Sequence, residues 1–234
     1  METVIDKTAI RNAATVILLR DRDTNPAILM GQRGSKAVFM PNKFVFPGGA
    51  VDAGDADISL AQTMSDTCIQ RLRQDADATL SPALQVAAIR EVWEETGLIL
   101  GEKGDWQGQP PEDWRSFSAT GHIPSAAGFS FVFRAITPPG RPRRFDARFF
   151  LADAAQIQGD IDDFSHASDE LSSLQWIPIE ETRSFNLPFI TEVVLAEIMG
   201  QLKTGSQPQS VPFFKNDDER SLFLRLDGKR PLDC

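Results

Sequence analysis

The chain has 234 residues, 41% hydrophobic and 24% charged, enough for one large globular domain with a sizeable core. No run of about 20 apolar residues is present and the opening Met-Glu-Thr-Val-Ile-Asp-Lys has no basic region leading into an apolar stretch, so neither a membrane span nor a secretory signal is expected. A net charge of −9 disfavours nucleic-acid binding, which needs a positive surface to displace counterions, and the only cysteines, Cys68 and Cys234, form no disulfide framework and fit a reducing cytoplasm.

Residues 13–20 (AATVILLR) and 27–33 (AILMGQR) read as two strands, joined by a DRDTNP segment with hairpin-turn chemistry. Residues 44–46 (FVF) form a short apolar run that stops at Pro47-Gly48-Gly49. Residues 50–80, rich in Ala and Asp, suggest a weak helix flanked by loops. Ser81-Pro82 predicts a helix start, with a hydroxyl cap followed by proline in the first turn, and Gly97 suits its left-handed close, giving a helix over 82–96. Residues 101–128 carry many Gly, Pro and Trp and suggest an ordered loop. Residues 129–137 and 144–152 flank Pro138-Pro139-Gly140 as a hairpin, 171–177 is a further strand, and Pro188–Leu202 has the apolar spacing of a helix. The tail after Gly205 is less regular. With no repeat and no long linker, the pattern predicts a single domain over 1–234, an α/β sandwich with an insertion at about 56–80 and a C-terminal extension from about 205.

The 82–96 helix carries the chemistry. At about 100° per residue, Glu91, Glu94 and Glu95 fall on one face, with Ala87 and Ala88 one turn earlier on that face and Val86, Ile89 and Trp93 opposite. Three carboxylates on adjacent turns repel each other, by roughly 0.2–0.5 kcal/mol per like-charged i,i+4 pair. They also sit at the helix C-terminus, where the dipole disfavours anions. Bound Mg²⁺ or Mn²⁺, hard cations that take oxygen ligands, would reverse both penalties. His122 and His166 lie far apart in sequence, build no His-rich metal motif and are expected to be loop residues.

Residues 90–98, Arg-Glu-Val-Trp-Glu-Glu-Thr-Gly-Leu, match every fixed position in the second half of the Nudix box, G-x5-E-x7-R-E-U-x-E-E-x-G-U with U aliphatic. Gly49 matches its opening glycine, and Asp55 stands where the first Glu belongs. The spacer that should follow is replaced by residues 56–89, 34 positions, so the box is split by an insertion of about 27. The flanks, Ile28–Arg33, Phe44–Asp52, Arg144–Phe150 and Trp176–Pro178, resemble the Nudix subgroup that contains peroxisomal CoA diphosphatases. The resemblance covers roughly residues 10–200.

The resemblance implies a Nudix-type α/β/α sandwich with a mixed sheet and a central catalytic helix. It implies metal-dependent hydrolysis of a nucleoside diphosphate linked to another moiety, with CoA or acyl-CoA as the subgroup's substrate and ADP-ribose or a nucleotide sugar as alternatives. Glu91, Glu94 and Glu95 become the expected metal ligands, joined by the backbone of Gly48 or Gly49, with Arg90 orienting a ligand carboxylate. The base is Glu94 or a distal carboxylate, Asp169 or Glu170. Arg33, Arg144 and Arg148 are candidates to grip a phosphate. The partner is then a small nucleotide-diphosphate molecule, in the cytoplasm, with no nucleic acid and no membrane; a homodimer is compatible with the sequence. A Nudix-fold sensor that binds a nucleotide without cleaving it is the rival reading, and the retained helix carboxylates speak against it.

Overall fold

The computed structural model of the protein describes residues 9–205, 210–216 and 220–226. The opening heptapeptide and Cys234 lie outside the described residues, as do residues 206–209, 217–219 and 227–233 of the C-terminal extension.

Strand β1 (Ile10–Arg20) carries an unbroken apolar run, as a strand covered on both faces requires. The chain turns at Asp21, whose carbonyl accepts the Thr24 N–H, and returns as the antiparallel β2 (Ala27–Arg33), with Leu19 opposite Ile28. Beyond that pairing the two strands part. The short β3 (Phe44–Val45) pairs with β2, and β4 (Gly48–Ala50) pairs with β1, placing the two glycines in the split.

The region expected to hold a weak helix contains a 3₁₀ turn at Ala53–Asp57 and the seven-residue α1 (Asp66–Leu72), whose N-terminus is capped by the Ser65 hydroxyl. Helix α2 (Leu80–Thr96) begins two residues before the expected Pro82. Ser81 is therefore a buried first-turn residue and not the cap. Its end is the expected one: Gly97 has φ 73°, and its N–H returns to the Trp93 carbonyl. A side chain at Gly97 would also collide with His166, which packs over the helix end.

Residues 101–128 are more ordered than their composition suggests. β5 (Ile99–Lys103), α3 (Arg115–Ser118) and β6 (His122–Pro124) lie in or next to this segment. β7 (Ser130–Ile136) and β8 (Arg144–Asp153) form the expected hairpin. β9 (Ile157–Gln158) joins β5 and β6 in a small three-stranded sheet. These strands are too short to display a period of two, so Gly and Pro dominate their sequence signal. After β10 (Leu171–Pro178) and α4 (Phe189–Thr204), the extension adds a hairpin, β11 (Pro212–Asn216) and β12 (Ser221–Arg225).

The main sheet runs β10-β2-β1-β8-β7-β11-β12, with β1 and β8 parallel from Ile10 opposite Arg144 to Leu19 opposite Asp153. Alternation along β1 sends Val16 and Leu18 to the core under α2, and Ile17 and Leu19 to the core under α4. Helix, mixed sheet and helix make an α/β sandwich. Among the described residues no helix is long and apolar enough to cross a membrane.

Candidate active site

Helix α2 lies against β1 and β4 and is buried on nearly every side. Ala87 and Ala88, one turn earlier on the face of the carboxylates, are fully buried core residues whose small side chains let the helix approach the sheet. The carboxylates at its C-terminal end face the β1–β2 split. Glu95 is only 1% exposed and accepts the Gly48 N–H at 2.8 Å. Glu91 lies against Gly49 so closely that any side chain at position 49 would overlap its carboxylate. That contact explains the second glycine of the Gly-Gly pair: a bare backbone is needed next to a carboxylate.

Arg90 organises the group. Its Nε and Nη2 donate to Asp55 at 3.0 and 3.1 Å, its Nη1 donates to Glu91 at 2.9 Å and Glu94 at 3.2 Å, and its Nη2 also reaches the Ala50 carbonyl at 2.9 Å. Asp55 is buried, and its second link is to the Asp52 N–H. The chain between Asp55 and α2 thus loops away and returns with both halves of the motif in contact through Arg90. Asp52, 3.6 Å from the same guanidinium, escaped the sequence reading; its place just after Gly-Gly-Ala-Val was the available signal.

From the far side comes Glu170, immediately before β10. Arg33 donates to it at 2.9 Å, and its charge acts on both Glu91 and Glu95. The loop leading to Glu170 is tied to α2 by the Ser168 N–H, which donates to the Glu94 carbonyl, and by His166 stacked on Trp93. Glu91, Glu94, Glu95, Arg90, Gly49, Arg33 and Glu170 are therefore brought together. Asp169 is exposed and makes no hydrogen bond or ion pair among the described residues.

Arg144 and Arg148 are not brought to this site. They share a face of β8, as the alternation predicts, but it is a covered face in mid-sheet. Arg148 is 2% exposed and donates to Asn12 at 2.7 Å and to the Asp146 carbonyl at 2.8 Å. Asp146 also binds Arg134, so two guanidiniums flank one carboxylate. Burial pushes Arg148 down to about 10. Arg144 donates to the Thr137 and Asn216 carbonyls. These buried arginines bond neighbouring strands and not the acidic group, contrary to the expectation that they grip a phosphate. His122, expected in a loop, is buried in β6 and bonds Thr120, and His166 packs over the helix end; neither bonds a carboxylate of α2 among the described residues.

The electrostatics show what the acidic group lacks. Burial pushes Glu91 up to about 7 against an ordinary 4.5, with Glu94 and Glu170 adding to the rise and Arg90 opposing it. Burial raises Glu95 well above the ordinary value, the Gly48 N–H opposes this, and Glu91 and Glu170 reinforce it. Glu94 is raised as well, again mainly by burial. Burial alone would lower Arg90, but its bond to Asp55 and the surrounding carboxylates outweigh that and hold it above its ordinary value. The Arg90 guanidinium faces Asp55, Glu91 and Glu94 together, and Glu95 has only the Gly48 N–H and the more distant charge of Arg33. The donors are hard oxygens with too little positive charge among them, which is the chemistry of a divalent-cation site. Among the described residues no three side chains already converge as a metal cage, since Glu91 and Glu94 turn to Arg90 and Glu95 to Gly48. The donor set and the bare backbone at Gly49 fit such an ion.

A stability test follows. A carboxylate whose folded pKa is raised favours folding most below its unfolded pKa near 4.5, and that advantage is lost as pH rises through the folded value of about 7 for Glu91. In EDTA, this cluster is expected to lower Tm as pH climbs from about 5 to 8, and the gain in Tm on adding Mg²⁺ is expected to grow over that range. A Mg²⁺ effect that is absent, or that shrinks with rising pH, would count against the cluster as a cation site.

No protein-family model matches the chain. A Caenorhabditis elegans protein assigned as nudix hydrolase 7 is 31% identical over 183 residues, covering 73% of this chain and 52% of the relative. The crystal structure of a NUDIX hydrolase from Alicyclobacillus acidocaldarius superposes with a TM-score of 0.57 at 25% identity, over 83% of this chain and 96% of that one. The chain belongs to the Nudix hydrolase family. Acyl-coenzyme A diphosphatase NUDT19 of Gallus gallus is 25% identical over 178 residues, 53% of this chain and 47% of the relative. The chain spans about half the length of the curated relatives it matches. Within the Nudix fold, α2 is the box helix, and the Arg90–Asp55 pair closes a box that the sequence leaves open.

Proposed function

We propose that the protein is a metal-dependent diphosphatase that cleaves a nucleoside diphosphate linked to another moiety. The observation that supports this most is the group of Glu91, Glu94 and Glu95 at the end of α2, facing Gly48–Gly49, with Arg90 fixed by the buried Asp55. Those three carboxylates, with the glycine backbone, would hold Mg²⁺ or Mn²⁺. Such an ion neutralises diphosphate charge and makes water a better nucleophile at neutral pH.

The chain's own groups do the rest. Arg90 orients Glu91 and Glu94, a role whose loss in other metal sites costs about 10–100-fold. Glu170, half-exposed and beside Glu91 and Glu95, is the candidate base that takes the proton from the attacking water. Glu94, 40% exposed at its side chain, is the alternative. Arg33 holds Glu170, and its guanidinium is the candidate to meet a phosphate oxygen. We read the chain as one domain working on small molecules in the cytoplasm, a setting that suits the buried free thiol of Cys68. An acyl-CoA is the leading substrate, by likeness to the chicken relative.

The test is release of monophosphate products from CoA, acyl-CoA, ADP-ribose, a nucleotide sugar and a dinucleoside polyphosphate. Turnover of at least one is expected with Mg²⁺ or Mn²⁺, with loss in EDTA and recovery on adding metal. Stabilisation by these compounds without any product would favour a nucleotide sensor.

A further inference from the structure

Glu170 sits on an exposed loop, and that loop is fastened in three places. Residues 160–170 leave the small sheet after β9 and rejoin the main sheet at β10. The first part is tied to the sheet. Trp176 Nε1 donates to the Ile161 carbonyl at 3.1 Å, and Arg20, lying over the Trp176 ring, donates to Asp162 at 3.0 Å. The last part runs into β10, with Leu171 opposite Arg33. The middle part reaches the end of α2. There the Ser168 N–H donates to the Glu94 carbonyl at 2.9 Å, and His166 stacks on Trp93 with ring centroids 6.0 Å apart and planes 26° from parallel.

The two rings of this stack differ in kind. Trp93 is a fixed platform: it is buried, its Nε1 donates to Ser116 at 3.0 Å, and the fully buried Phe117 meets it edge-on. His166 is exposed, so burial does not account for its place. It makes no hydrogen bond or ion pair among the described residues. Its contacts are its ring face on Trp93 and its Cβ over the bare backbone of Gly97. From there the path to Glu170 is short. Ser168 follows two residues later, and its Oγ accepts the Glu170 N–H at 3.5 Å.

Glu170 needs such a hold. Its side chain is 54% exposed, and Arg33 is its one ion-pair partner among the described residues. A shift of about 1 Å in a reacting group can cost on the order of 100-fold in rate. The loop that carries Glu170 docks on Trp93 and on the Glu94 backbone, at the helix end that presents Glu91, Glu94 and Glu95. One helix end therefore fixes both the carboxylates and the loop facing them. We propose that His166 is a positioning residue: stacked on Trp93, it docks the loop on the end of α2 and so sets Glu170 against the acidic group. It acts through Glu170 and does not touch the reacting atoms. This rests on the reading of Glu170 as the base.

The test combines amide exchange with a mutant cycle on the full chain. Because His166 is exposed, His166→Ala leaves no cavity and is expected to stay folded. Exchange of the Ser168 amide should quicken by about 2- to 10-fold, the worth of one aromatic pair, while the β1 amides keep their protection. His166→Phe, which keeps the stack, should restore the wild-type rate of exchange. In hydrolysis of acetyl-CoA with Mg²⁺, or of whichever diphosphate in the panel above is turned over, His166→Ala should lower kcat by about 10-fold or more at unchanged KM. Glu170→Gln should lower kcat by about 100-fold or more, and adding His166→Ala to it should cost nothing further. Mn²⁺ binding should survive in all of these variants. Unchanged Ser168 exchange in His166→Ala overturns the proposal, as does a kcat loss that His166→Phe fails to rescue or that adds in full to the loss from Glu170→Gln. Wild-type kcat in Glu170→Gln would instead remove Glu170 as the base, which is a separate failure from that of the docking contact.

Discussion

Glu95→Gln is expected to lower turnover at least about 100-fold while the protein stays folded, since removing a direct ligand should cost no less than removing the residues that orient ligands. The same substitution is expected to raise Tm in EDTA. Glu95 is buried and its ionised form is disfavoured there, whereas a neutral amide keeps an oxygen for the Gly48 N–H at 2.8 Å. Opposite signs for activity and stability are the informative part. A folded variant with near-wild-type kcat in saturating Mg²⁺ would remove Glu95 from the site. A large fall in Tm would make it a structural residue instead.

The largest expected effect on stability belongs to Arg90. Its guanidinium and Asp55 form a bidentate pair with side-chain exposures of 7% and 2%. Arg90→Ala leaves Asp55 as a buried, unpaired charge, which costs about 3–5 kcal/mol in such pairs. Urea unfolding should show this loss. The double variant Arg90→Met/Asp55→Leu should recover much of it, because replacing both partners by apolar groups is often near neutral. It should not recover activity, since nothing would then orient Glu91 and Glu94. A loss below about 1 kcal/mol for Arg90→Ala, the range of surface ion pairs, would contradict the buried pairing.

Much of this was legible in the sequence because long, strongly patterned elements state their own structure. The apolar runs of β1 and β7, the Pro138-Pro139-Gly140 turn that leads to β8, and the Gly97 stop of α2 each follow from local rules. The grouping of Glu91, Glu94 and Glu95 needs only the helical repeat. Other features depend on contacts between distant residues. No local rule returns Asp55 across the insertion to Arg90, or docks His166 on Trp93, because the packing of distant elements decides both. The sequence also places Arg144 and Arg148 on one face of a strand without saying whether that face is open. In mid-sheet, with Asn12 and Asp146 alongside, it is closed. The β11–β12 hairpin escaped notice because each strand has five residues, too few for the period to stand out from the surrounding polar tail.

The central claim is that the end of α2 binds a divalent cation through its carboxylates. Electron paramagnetic resonance of Mn²⁺ tests it most directly, as a titration at pH 7.5 of wild type and Glu95→Gln. The account predicts Mn²⁺ bound by wild type, displaced by excess Mg²⁺, and bound far more weakly by the variant. Equal Mn²⁺ binding by both proteins, or none by wild type, would contradict it.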